Sequence, residues 1–131
     1  MEKLINKIAS LSIDDNDKVK EIKNYFKDFC YNMRLKFNNK FKMRLEFNRY
    51  FNGRDISYLV IQTAKIEARK LMTVSINVNE DFEVELITCL ESFNCPVKCN
   101  SVESLENVLI QVLSDERFIG EIKYFAELEG F

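Results

Sequence analysis

Apolar residues recur with a helical period at the start of the chain, with a period of two in its middle, and with a helical period again toward its end. Leu4, Ile5, Ile8 and Leu11 share helical spacing, and Val19, Ile22, Phe26 and Phe29 recur at three and four residues. Two N-terminal helices are predicted, the second ending near Cys30. Between them, Ile13-Asp14-Asp15-Asn16-Asp17 interrupts the pattern and offers N-cap side chains. From there the period changes. Met33, Leu35 and Phe37 alternate with Arg34 and Lys36, while Phe41, Met43, Leu45 and Phe47 alternate with Lys42, Arg44 and Glu46. Asn38-Asn39-Lys40 between these runs reads as a hairpin loop, because Asn tolerates the positive φ such loops need.

Asn52-Gly53 predicts a second, two-residue hairpin that pairs Leu45 with Val60 and Phe47 with Tyr58 and gives a third strand over 56–66. Met72, Val74, Ile76 and Val78 alternate with polar residues and form a fourth. Residues 64–71 are rich in Ala, Lys, Glu and Arg, so a helix over 55–71 with three strands is the competing arrangement. Phe82, Leu86, Leu90 and Phe93 return to helical spacing, broken at Asn94-Cys95-Pro96. Asn100 and Glu103 have capping-box spacing ahead of Leu105, Val108, Leu109 and Val112. Ser114 caps a last helix with Phe118, Ile122, Phe125 and Leu128 inward. The predicted fold is α+β in one domain, 1–131: N-terminal helices, a four-stranded antiparallel meander over about 31–78, and three C-terminal helices packed on one sheet face.

Charge changes this picture more than composition does. Residues 1–70 carry 16 Lys+Arg and 9 Asp+Glu, a net of +7; residues 71–131 carry 3 and 12, a net of −9. The overall −2 conceals a chain that is electrostatically polarised along its own sequence. Its hydrophobic fraction of 47% is enough for a core, and no apolar run reaches the roughly 20 residues of a membrane helix. The first residues are too charged for a secretory leader, so a cytoplasmic protein without membrane contact is expected.

Candidate chemistry is sparse. The chain has no His, which excludes Ser-His-Asp and Cys-His catalysis and imidazole metal sites. Cys30, Cys89, Cys95 and Cys99 lack the paired spacing of a zinc site and read as reduced thiols, with Cys95 beside Pro96 the best candidate for a reactive one. Asp14, Asp15 and Asp17 lack the loop Gly and distal Glu of a calcium-binding loop. There is no Gly-rich phosphate loop. No catalytic residue, metal or cofactor is assigned.

What remains is binding. With a loop at 38–40, Lys36 faces Lys42 and Arg34 faces Arg44, a like-charge cluster joined by Lys40 and Arg49 that calls for a counter-charge. Glu80, Asp81, Glu83, Glu85 and Glu91 lie on the polar face and flanks of the helix expected over 82–93 and are the candidate partner-binding residues. The expectation is a non-enzymatic interaction protein of inhibitor, immunity or chaperone type, binding another protein through charge-segregated surfaces. The alternative is nucleic-acid binding by the basic hairpin 31–47. Complementary halves are also compatible with a homodimer.

Overall fold

A computed structural model describes residues 1–10, 17–88, 90 and 95–129. Helix α1 (Glu2–Ser10) precedes a long α2 (Asp17–Lys36), whose stripe Val19, Ile22, Phe26, Cys30 and Met33 is buried. The second helix therefore runs six residues past Cys30 and absorbs the segment expected to be the first strand. The physical reason lies in Phe26, Cys30, Met33 and Phe37, which keep three- and four-residue spacing through that segment. Asn38 and Asn39, both at φ 56°, then end the helix in the left-handed region, and the Asn39 amide donates to the Arg34 carbonyl at 2.8 Å. The two asparagines are a helix stop, not a hairpin loop.

Five antiparallel strands follow in meander order: β1 (Lys42–Phe51), β2 (Arg54–Gln62), β3 (Arg69–Asn77), β4 (Val84–Ile87) and β5 (Val97–Cys99). The sheet thus begins later and ends later than the predicted 31–78. Asn52 (φ 51°) and Gly53 (φ 71°) make the expected tight turn. Phe51 opposes Arg54 and Arg49 opposes Ile56, but a bulge at Asn48 shifts the register, so Leu45 opposes Leu59 and Phe47 opposes Ser57. The expected pairs Leu45/Val60 and Phe47/Tyr58 are each displaced by one residue. Residues 63–68 are neither strand nor helix: the Thr63 hydroxyl accepts from the amides of Lys65 and Ile66 and bends the chain there. The competing helix over 55–71 does not form.

Of the helix expected over 82–93, residues 84–87 form β4 instead, while 89 and 91–93 lie outside the described residues. Val84 and Leu86 are buried, with Glu83 and Glu85 interleaved, so the operative period is two. Among the described residues two C-terminal helices are present, not three: α3 (Val102–Leu113) and α4 (Glu116–Glu129). The α3 capping box is Ser101 with Ser104, one residue along from the expected Asn100 and Glu103. Ser114 is the C-cap of α3, and Asp115 caps α4 by accepting from the amides of Arg117 and Phe118. Helices α2, α3 and α4 bury Phe26, Leu105, Leu109, Ile122 and Phe125 against Met43, Leu59, Ile61, Met72, Val74, Ile76, Val84 and Leu86. The opposite sheet face carries Arg44, Glu46, Tyr58, Lys70, Thr73, Glu85 and Lys98, so the fold is a two-layer α+β arrangement. No described helix is long and apolar enough to cross a membrane.

Candidate interaction surface

β1 and β5 form the two edges of the sheet. β5 has three residues, whereas β1 has ten, and among the described residues no strand pairs with its outer side. Met43 is the one buried residue of β1; its second half is exposed throughout. An open edge of this length presents a row of backbone donors and acceptors to an incoming strand.

The bulge at Asn48 determines what side chains accompany that edge. In a regular strand, Phe47 and Tyr50 would point to opposite faces, being three apart. The extra residue reverses the alternation, so Tyr50 opposes Asp55 on the same face as Phe47, and their rings meet with centroids 4.9 Å apart. The bulge is tied down by the Asn48 amide, which donates to the Tyr58 hydroxyl at 2.9 Å. Phe51 and Arg49 go to the other face, the guanidinium 5.3 Å from the ring centroid. Phe47, Tyr50 and Phe51 remain 48%, 58% and 56% exposed, which makes them an aromatic rim around the hairpin.

This rim stands on a buried polar anchor. Asp55 is fully buried on β2, accepts from the Ser57 hydroxyl at 2.8 Å and pairs with Lys23 of α2 at 2.5 Å. The same ammonium lies 5.2 Å from the Phe47 ring centroid. A buried carboxylate without a cation is costly, so this pair fixes where α2 crosses the hairpin.

The acidic residues expected on one helix are dispersed. Glu80 and Asp81 lie exposed in the β3–β4 connection, which docks on the hairpin turn through the Val78 amide donating to the Gly53 carbonyl at 3.0 Å. They therefore sit at the same end of the sheet as the aromatic rim. Glu83 is buried: Arg54 donates to it at 2.9 Å and the Asn77 amide donates at 2.9 Å, with Lys98 at 3.9 Å. Burial pushes its carboxyl up, but the hydrogen bonds from Asn77 and Arg54 and the Arg54 charge together hold it below the usual carboxylate range. It is a structural ion pair, not a free contact. Glu85 is half-buried on β4 opposite Lys98, and Glu91 lies outside the described residues, as do Cys89 and residues 14–16.

The basic residues do not form a hairpin cluster either. Arg34 and Lys36 end α2, so the expected Arg34/Arg44 and Lys36/Lys42 oppositions do not occur. Arg44 instead donates to Glu46 at 2.9 Å and Gln62 at 3.1 Å. Lys36, Lys40 and Lys42 do gather at the α2–β1 turn, joined by Lys123 of α4, and none of the four makes an ion pair among the described residues. Charge is thus separated along β1, with lysines at its start and Glu80 and Asp81 near its end.

Sequence reasoning missed Phe47, Tyr50 and Phe51 as a surface feature. The signal was there in Tyr50-Phe51 immediately before Asn52-Gly53. Two consecutive aromatics in a strand cannot both enter one core. Comparison with protein-family models, with curated proteins and with solved structures finds no match to this chain, so the functional reading rests on this geometry.

Proposed function

We propose that this chain is a non-enzymatic interaction protein that binds another protein along β1. The observation that carries the reading is the open ten-residue edge bordered by the half-exposed rings of Phe47, Tyr50 and Phe51. Aromatic and Arg side chains are enriched at protein interfaces, and edge strands recruit extended segments through their backbones. Lys42, Arg44 and Arg49 along the strand favour a segment with acidic residues, while Glu80 and Asp81 beside the turn add a site for a basic residue of the same partner.

The test compares capture of partners from the native host by the wild type, by Tyr50→Ala/Phe51→Ala and by the control Tyr124→Ala, which alters an exposed ring on α4. A partner retained by wild type and control but lost by the double variant supports the reading. Retention by all three removes β1 from it. A gel-shift titration supplies the contrasting outcome. Salt-sensitive binding of a nucleic-acid probe, abolished by Lys36→Glu/Lys40→Glu/Lys42→Glu, would replace a protein ligand with a polyanion.

A further inference from the structure

Two orphaned apolar surfaces lie outside the β1 edge. The first is α1. Leu4, Ile5 and Ile8 form one stripe, and all three are more than half exposed; every residue of the helix is exposed. An amphipathic helix this short is marginal in water unless its apolar face is covered. The second is a groove of about 330 Å³ lined by Tyr25, Asp28, Phe29, Asn32 and Met33 of α2 and by Leu113 of α3. Ile110, one turn before Leu113, falls on the same side of α3 by helical spacing and is 54% exposed.

The two surfaces match. Tyr25, Phe29 and Met33 recur every four residues, so the groove floor is about 12 Å long, close to the roughly 13 Å of a nine-residue helix. Their charges are opposite. Lys7 borders the apolar stripe of α1, whereas Asp28 lies in the groove. Partial burial and the nearby Glu106 carboxylate both raise the Tyr25 phenol above its usual range. Among the described residues, no side chain of α1 lines the groove, and every residue of α1 is exposed.

We infer that α1 of one copy docks into the α2–α3 groove of a second copy, and that the exchange is reciprocal, giving a two-fold dimer. Each copy donates one basic amphipathic helix and accepts one, so the contact is self-complementary and closed. This inference does not depend on the β1 reading, because none of its residues lies on β1.

Sedimentation equilibrium of the full chain across a wide concentration range tests it, with Ile8→Asp on α1 and Ile110→Asp on the groove rim. Both positions are exposed, so neither change should disturb folding, which circular dichroism checks. Wild type should dimerise, and each variant alone should dimerise about tenfold or more weakly. Mixing the two variants should recover part of the association, because α1 of the Ile110→Asp copy can enter the intact groove of the Ile8→Asp copy, rebuilding one of the two contacts. Native mass spectrometry would show that heterodimer directly. A wild type that stays monomeric at every concentration overturns the proposal, including the case in which α1 packs on its own groove. So does a dimer that neither variant weakens, or a mixture that associates no better than its components.

Discussion

Arg54 of β2 ties β3 to the residue that leads into β4 through one side chain, and replacing it by Met isolates what that junction contributes. Its guanidinium donates to the Ser75 hydroxyl at 2.6 Å, to the Ser75 carbonyl at 2.9 Å and to Glu83 at 2.9 Å. A hydrogen bond to a charged group is worth about 1.5–3 kcal/mol and a neutral acceptor about 1 kcal/mol. Arg54→Met therefore removes about 3–5 kcal/mol of gross interaction. The Asn77 amide and Lys98 remain near Glu83 and limit the orphaning of its charge, so a net loss of about 3 kcal/mol at neutral pH is expected. The loss is pH-dependent in a defined direction. Because the folded carboxyl titrates below the unfolded one, near 4.3, the stabilisation is complete above that value and disappears as pH falls through the folded value. Urea unfolding at pH 7 and in a series carried well below pH 4 measures both quantities, and Glu83→Gln provides the uncharged reference at neutral pH. In the Glu83→Gln background, Arg54→Met should cost about 1–2 kcal/mol less than in wild type. A cost under about 1 kcal/mol in wild type, or the same cost in both backgrounds, would refute the assignment of Glu83 as a buried ion pair.

Three further outcomes follow from the same reasoning. Lys23→Met should destabilise by about 3 kcal/mol by stranding buried Asp55, and adding Asp55→Asn should recover part of that loss in thermal unfolding. Ser101→Ala removes the acceptor for the Ser104 amide at the start of α3 and should cost about 1 kcal/mol in urea unfolding. Among the described cysteines, exposed Cys95 should alkylate first in native protein at pH 8, read by peptide mass spectrometry. Cys30 should resist until unfolding, since burial, only partly offset by Arg34, pushes its thiol up to about 12, and burial likewise raises Cys99.

Where one period dominated, the elements were legible from residues alone. The Val19/Ile22/Phe26 stripe, the Asn52-Gly53 turn, the Met72/Val74/Ile76 strand and the two C-terminal helices all follow from local pattern and turn chemistry. Where two periods overlapped, pattern alone could not choose. Met33, Leu35 and Phe37 satisfy a strand, but Cys30, Met33 and Phe37 satisfy a helix, and continuity with α2 decides for the helix. At 82–90 the four-residue spacing of Phe82, Leu86 and Leu90 masked the alternation of Val84 and Leu86, and pairing with β3 decides for the strand. Both choices rest on tertiary partners that no local window contains. The acidic set dispersed for the same reason: once 84–87 is a strand, Glu83 and Glu85 cease to share a helix face with Glu80 and Asp81. Tyr50-Phe51 marked the aromatic rim, but the placing of Phe47 and Tyr50 on one face was illegible because Asn48 carries no sequence mark of a bulge.

That bulge also acts as a ruler. An incoming strand of regular geometry can keep its ladder only against residues on one side of the extra residue, and the longer side, 42–47, spans about 20 Å. A short recognition segment pairs along that interval and passes onto the Phe47 and Tyr50 rings beyond its end, whereas a long regular strand loses its ladder at Asn48. The edge can thus admit a guest of limited length while resisting the continuous strand-upon-strand growth by which an unbroken ten-residue edge would draw neighbouring molecules into ribbons.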